Sequence, residues 1–385
     1  MQHVQLPDSA VWADFRRMMP VTEKWAYFDH AAVAPITRVA RDVLCRWADH
    51  CAQNGGVDWS EWRKEVEKAR RLAAQLINAH TDEIAIVHNT TEGVNIVAEG
   101  FPWKPGDNVV IVAGEFPTNR FAWMHLATRG VEPRIVPVND ERLDLARLEG
   151  MCDSNTRIVA VSWVGYATGW RNDLDALVEI AHRKRALLFV DAIQALGVFP
   201  LDVARTPVDF LAADGHKWLL GPEGAGIFYT HREHLDLLRP VGIGWNSAVN
   251  SSEYGATELS LKLNAGRYEG GSYNMGGVAA LAASLEFLLS VGVARISARL
   301  LDVTDILSAR LEAIGAEIGS CRDESRRSGI VAFNLPGRSP LQTRKHCLDH
   351  KVAVNCRAGR LRVSPHAYAN EDDIERLIST IGGQT

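Results

Sequence analysis

The chain has 385 residues, more than one hydrophobic core ordinarily serves, so a large domain and a smaller one are expected. Apolar residues make up 46% and charged residues 23%, the balance of an ordinary globular chain. A net charge of −5 with no long basic run excludes a nucleic-acid footprint.

The opening stretch Met1–Pro7 has neither a cationic start nor an apolar core, so no secretory leader is expected. From about residue 84 to 230, apolar runs alternate with amphipathic stretches such as Asp173–Arg185. The predicted strands are Ile84–Val87, Asn108–Val112, Arg134–Val138, Arg157–Ser162, Ala186–Asp191, Phe210–Ala213 and Gly226–Tyr229. Strand–helix alternation with runs apolar on both faces predicts an α/β fold: a mostly parallel seven-stranded sheet covered by helices. Ligands of such sheets bind at the carboxyl ends of the strands. Residues 242–277 are rich in Gly, Ser and Asn and show no core pattern, which marks a functional or interfacial loop. The apolar run Val278–Val293 is broken by Ser284, Glu286 and Ser290 and reads as a buried helix, not a membrane span.

The remainder predicts a small C-terminal α+β domain. A long helix (Val293–Ile314) precedes a strand (Ile330–Leu335) and a helix (Leu341–His350). Two short strands (Lys351–Asn355, Leu361–Ser364) and a last helix (Glu371–Ile381) follow. The six cysteines, at 45, 51, 152, 321, 347 and 356, form no C-x-x-C, so neither a disulfide framework nor a metal site is expected and a cytoplasmic location fits. His346 with His350, and His231 with His234, read as solvated pairs.

The strongest local pattern runs from Asp209 to Gly224. A strand ends at Ala213, Gly215-His216-Lys217 follows, and Gly221-Pro222-Glu223-Gly224 turns the chain. Upstream, Asp191 closes another apolar strand within Asp191-Ala192-Ile193-Gln194. A lysine amine and a carboxylate at neighbouring strand ends suit pyridoxal 5'-phosphate (PLP), which needs an amine for its aldehyde and an acid facing its ring nitrogen.

These boxes, in this order, resemble the aminotransferase class V superfamily of PLP enzymes, which includes cysteine desulfurases, selenocysteine lyases, kynureninase and isopenicillin N epimerase. The resemblance runs from Tyr27-Phe28-Asp29 to Tyr368-Ala369-Asn370. It implies a type I PLP-dependent transferase fold, with a large PLP-binding domain over residues 22–290 and a small domain from residues 1–21 and 291–385. It further implies a homodimer with shared active sites. Lys217 would hold PLP as a Schiff base, Asp191 would pair with the ring nitrogen, Gln194 with the ring hydroxyl, and His216 with the phosphate. Thr90 and Thr91, opening a helix after a strand, would bind phosphate oxygens. Phe116 would cover the ring where desulfurases place a stacking histidine. Tyr166 falls in the next cofactor loop, where desulfurases carry asparagine. Ser272 would reach the phosphate of the partner subunit. Arg362 would hold the substrate carboxylate by a two-pronged contact, with Arg357 and Arg360 nearby in sequence. His30 lies in a stretch that lines the substrate side. Asp214 stands where the family has serine, and an acid beside a phosphate is unfavourable, so it is expected to point elsewhere.

The reaction is left open. Transamination or carbon–sulfur β-lysis of an amino acid is the leading expectation. Cysteine desulfurase, selenocysteine lyase and amino-acid epimerase are the alternatives, with a non-catalytic PLP-binding regulatory domain outside the enzyme class. Cys356 sits only six residues before Arg362, and the segment is too short for the mobile cysteine loop of desulfurases. Arg357 and Arg360 could lower its pKa. No G-x-G-x-x-G follows an early strand, which argues against a nicotinamide enzyme.

Overall fold

A computed structural model describes residues 10–255 and 257–383, so the Met1–Pro7 reading lies outside the described residues. Its strands are, in chain order, β1 (Ala26–Tyr27), β2 (Ile84–Val87), β3 (Asn108–Val112), β4 (Glu132–Val136), β5 (Thr156–Ser162), β6 (Leu187–Asp191) and β7 (Phe210–Asp214). They continue with β8 (Gly226–Thr230), β9 (Glu317–Ile318), β10 (Val331–Asn334), β11 (Val352–Ala353), β12 (Asn355–Arg357) and β13 (Arg360–Val363).

Seven strands make the large sheet, in the order β2-β8-β7-β6-β5-β3-β4. Every pairing is parallel except the two made by β8. Alternate residues explain why these runs are apolar throughout. Val110, Val159, Leu188, Leu211 and Ile227 face one core, and Val109, Ile158, Phe189, Phe210 and Phe228 face the other. A sheet buried on both faces needs helices on both, and they are supplied by the crossovers. The helix Thr90–Gly100 lies so close to β7 that a Cβ on Gly93 would sit 2.5 Å from that of Ala212. Glycine there lets the helix N-terminus settle at the carboxyl edge of the sheet.

Residues from 293 on form the predicted α+β unit around a third core. Its antiparallel sheet, β12-β13-β10-β9, places Arg362 on a central strand. The predicted strand Lys351–Asn355 divides into β11 and β12, and β9 is an addition. β1 pairs in parallel with β11, and Ala26 and Phe28 are buried in the third core. Residues 26–28 therefore pack with the small unit, beyond the boundary at residue 22 that the resemblance implied. β4 starts two residues earlier than Arg134, because its edge position leaves Glu132 exposed and without an apolar signature. Among the described residues no single helix is long and apolar enough to cross a membrane; Met275–Val291 and Val293–Ala313 qualify only jointly, with an 80° bend between them.

Candidate functional site

A cavity of about 340 Å³ opens at the carboxyl ends of β2, β3, β5, β6 and β7. β3 and β5 are neighbours from which the chain departs in opposite directions, which is where such sheets leave a crevice. A larger hollow of about 610 Å³, walled by Arg16, Met19 and Arg38 among others, holds no lysine and gathers none of the predicted groups. The smaller cavity does. Its wall includes Thr90, Thr91, Phe116, Tyr166, Asp191 and Gln194. His216, Lys217 and Arg362 are there as well.

Lys217 and Asp191 are held by the two central strands. β7 ends at Asp214, and Gly215 follows where a Cβ would meet the Ala225 carbonyl oxygen at 2.5 Å. That tight passage delivers Lys217 into the wall, 8% exposed. Burial disfavours its ammonium form, the positive charges of Arg362 and Arg357 add to the effect, and the pKa falls from 10.5 to about 8 against the pull of Asp191 and Asp214. Asp191 ends β6 and accepts the Ile193 backbone N–H at 3.1 Å. Its burial raises its pKa to about 6, opposed by that hydrogen bond and by Lys217. The pair thus offers a part-neutral amine and an ionised carboxylate at neutral pH.

Gln194 is oriented by two protein contacts. Its Oε1 accepts from Trp218 Nε1 at 2.9 Å and its Nε2 donates to the Ala31 carbonyl at 3.0 Å, leaving one amide hydrogen on Nε2. At the anion end, Asn89 caps the helix Thr90–Gly100 by accepting from the Glu92 N–H at 2.9 Å. The N–H groups of Thr90 and Thr91 remain at the helix start, beside the cavity. Thr90 Oγ1 accepts from the Asp214 N–H at 3.0 Å, and Thr91 Oγ1 lies 2.9 Å from Thr118 Oγ1.

Asp214 does not point elsewhere. It is buried and lines the cavity. His216 Nδ1 lies 2.9 Å from Asp214 Oδ2, an ion-pair distance but off the axis of a hydrogen bond. His216 Nδ1 and Asp214 Oδ1 are both buried without a hydrogen-bond partner.

The opposite wall joins both units. Phe116 presents its ring 5.6 Å from Lys217 Nζ and meets the Tyr166 ring edge-on at 5.4 Å. Arg362, 1% exposed, donates to the Tyr166 carbonyl at 2.6 Å and to Asp29 at 3.3 Å, while its Nε is buried without a partner. Asp29 is fixed in turn by Asn355 Nδ2 at 2.7 Å. Behind Phe116, Glu115 takes the Ser162 N–H at 2.6 Å and contacts the Ser162 hydroxyl. Burial raises the Glu115 pKa to about 8. Glu115, Trp218 and Asn355 carry no sequence signal of their own beyond standing next to the recognised boxes.

Two predicted residues are not brought to this cavity. His30 is fully buried and does not line it: Nδ1 lies 3.0 Å from the Ser364 carbonyl and Nε2 2.9 Å from the Tyr368 hydroxyl. With both nitrogens engaged, and burial lowering its pKa to about 4, His30 is a structural residue. Ser272 is exposed and lies outside the wall of its own chain's cavity.

The donor set fits PLP. A buried, partly neutral amine can meet the aldehyde, and an ionised carboxylate can meet the ring nitrogen. An aromatic plate and a helix N-terminus with hydroxyls can take the ring face and the phosphate. Arg362 Nε is a buried donor still to be satisfied, and His216 Nδ1 lacks a hydrogen-bond partner. The fit is strained only at Asp214, which puts a carboxylate into the same wall.

The comparisons with known proteins show the family. A probable cysteine desulfurase of Methanothermobacter thermautotrophicus is 30% identical over 391 aligned positions, covering 96% of both chains. A cysteine desulfurase of Shigella flexneri is 30% identical over 380 positions, covering 92% of both. The apo structure of a cysteine desulfurase from Thermococcus onnurineus NA1 superposes with a TM-score of 0.88 at 26% identity, over 98% of both chains. The family model described as aminotransferase class-V matches residues 26–377, the stretch that carries the amine, the carboxylate and the guanidinium of this cavity, and the chain is therefore a PLP-dependent enzyme belonging to that family.

Proposed function

We propose that this enzyme breaks the carbon–sulfur bond of cysteine or an S-substituted cysteine, with Lys217 holding the cofactor and moving the proton at Cα. The names of the relatives support sulfur removal over transamination, the other half of the leading expectation. The observation that carries the lyase reading is the wall itself, where a buried amine faces a carboxylate and a guanidinium and, among the described residues, no cysteine is present.

PLP supplies, when bound, an electrophilic carbon and a ring that withdraws electrons from Cα. The protein's share follows from its geometry. Arg362 would hold the substrate carboxylate and so fix which Cα substituent stands upright. Asp191, ionised above about pH 6, would hold a proton on the ring nitrogen. Lys217, with its pKa lowered to about 8, would take the Cα proton as a neutral amine. Phe116 and Tyr166 would exclude water from one side, and Thr90, Thr91, Gln194 and His216 would anchor the cofactor.

Cys356 is not in the wall. It lies on β12 with its Sγ donating to the Pro340 carbonyl at 3.2 Å. Burial raises its pKa, outweighing Arg344 and Arg357, while Arg360 is turned to Asp140. The two arginines that could have lowered the pKa of this thiol do not outweigh its burial. We therefore favour elimination over transfer of sulfur to the protein.

The homodimer also belongs to this proposal. Val249, Tyr254, Leu259 and Leu263 are exposed on the loop that precedes Ser272. Trp245 contacts both Trp59 and Tyr254 at ring distances of 6.4 and 6.5 Å. An apolar surface of this kind supports burial against a second copy, which would bring Ser272 toward the partner's phosphate. Six free thiols fit a reducing, cytoplasmic setting.

The test supplies L-cysteine and S-substituted cysteines with a thiol reductant and follows pyruvate, sulfide and alanine in the parent and in Cys356→Ser. Pyruvate formed equally by both proteins is expected. Alanine that disappears in Cys356→Ser would replace elimination by the desulfurase route, and a keto acid formed only with an added acceptor would restore transamination.

A further inference from the structure

The proposed chemistry leaves Asp214 without a task, although it is a charged residue of the wall. Asp214, 5% exposed, ends β7, and its backbone N–H donates to Thr90 Oγ1 at 3.0 Å, so it abuts the start of the helix Thr90–Gly100. Its Oδ1 is buried without a partner. Its Oδ2 lies 2.9 Å from His216 Nδ1, off the axis of a hydrogen bond, and that nitrogen is also buried without a partner. A carboxylate and an imidazole nitrogen thus stand open side by side, next to the hydroxyl and N–H groups suited to a phosphate.

The other groups facing Asp214 do not neutralise a phosphate placed there. Asp191 is a second acid, and Lys217, whose ammonium form Asp214 favours, is committed to the aldehyde of the cofactor. Arg357 and Arg362 come from the small unit, and both act on Asp29. On the helix beside Asp214, Glu92 lies 2.9 Å from His88, and β8 sets the uncharged Gly226 opposite Asp214. Among the described residues of this wall, His216 is the remaining base. A phosphate monoester gives up its second proton at about pH 6 and is a dianion above that. A dianion and a carboxylate cannot both stay fully ionised in one buried site, so a proton is kept among them.

We propose that Asp214 and His216 form a proton-holding pair, so that the phosphate of PLP binds together with a proton taken from solvent and kept among the phosphate, the carboxyl and the imidazole. The serine that the family carries in place of Asp214 has no charge to balance and calls for no such uptake. The grip on the cofactor therefore weakens as pH rises: where the free partners lack the proton, uptake of a single proton lowers affinity about tenfold per pH unit. This rests on the placing of the phosphate at the helix start, and concerns retention of the cofactor only.

The experiment follows PLP binding to protein stripped of cofactor, by calorimetry at about pH 7.5 in buffers of different protonation enthalpy, which counts the protons taken up. The parent should take up about one proton more than Asp214→Asn, which keeps the side-chain shape, and than Asp214→Ser. With pyridoxal, which lacks the phosphate, the three proteins should agree, because the proton exchanged in forming the link to Lys217 is common to them. Within the parent, PLP should draw in about one proton more than pyridoxal does, a comparison that needs no variant. From about pH 7 to 8, the affinity of the parent for PLP should fall about tenfold further than that of Asp214→Asn. Equal uptake by the parent and the variants, equal uptake of protons with PLP and pyridoxal in the parent, or a difference between parent and variants that persists with pyridoxal overturns the proposal alone. A parent that binds pyridoxal as tightly as PLP overturns it together with the placing of the phosphate.

Discussion

The state of Lys217 gives the sharpest quantitative prediction. A solvated lysine with a pKa of 10.5 is about 0.03% neutral at pH 7, whereas one at about 8 is ~9% neutral, a gain of about 300-fold in the reactive form. The shift corresponds to ~3 kcal/mol of preference for the neutral amine. Protein stripped of cofactor should therefore capture added PLP at a rate that rises with pH and levels above a midpoint of about 8. The growth of the visible band at limiting PLP measures it. The neutral form is favoured by burial and by the nearby cations, so Arg362→Met and Arg357→Met should move the midpoint up. Asp191→Asn removes an anion that favours the ammonium form and should move it down. Lys217→Ala should fold but form no borohydride-reducible link. A midpoint at 10 or above, or a reducible link that persists in Lys217→Ala, would refute the assignment of this amine.

Asp191→Asn should retain PLP yet lower turnover by roughly 10²–10⁴, because an amide cannot hold the proton on the ring nitrogen; turnover within a few-fold of the parent would remove Asp191 from the mechanism. Leu263, 86% exposed, should be buried between two copies, so Leu263→Asp should weaken association. Light scattering should find a dimer that this change shifts toward monomer, and a fully active monomeric parent would exclude shared sites.

The large sheet is legible in the sequence because its strands are buried on both faces and so read as unbroken apolar runs. β9 is illegible for the opposite reason: Glu317 and Ile318 form a two-residue edge with nothing to alternate against. Motif reading finds Lys217 and Asp191, since Asp191 closes one strand and Lys217 follows three residues after the end of its neighbour. It cannot find what depends on distance along the chain. Asp29 and Arg362 are separated by 333 positions, and Gln194 and Ala31 by 163. His30 shows the converse error. Its neighbours in sequence reach the cavity, but its own ring turns inward between Ser364 and Tyr368. Asp214 shows a third limit: the unfavourable pairing of an acid with an anion is sound physics, yet the direction of β7 decides where its last side chain goes.

The site is completed by how the two units are joined. Arg362 comes from the small unit but donates to the Tyr166 carbonyl of the large one. The loop bearing Tyr166 is gripped by Glu141, which accepts the N–H groups of Ala167 and Thr168 at 2.8 and 2.6 Å and the Thr168 hydroxyl at 2.7 Å. The adjacent Asp140 receives Arg360 from the same strand as Arg362. Asp140 and Glu141 adopt φ of 51° and 62°, a left-handed conformation that costs residues with a Cβ of order 1 kcal/mol each. Three hydrogen bonds at Glu141 and a two-pronged ion pair at Asp140 offset that cost, and they act in opposite directions along the chain. One fixes the cofactor loop and the other fixes β13. One turn of the large unit thereby ties the Tyr166 loop, against which Arg362 donates, to the strand that bears Arg362, and the same turn holds Arg360 away from the cavity wall.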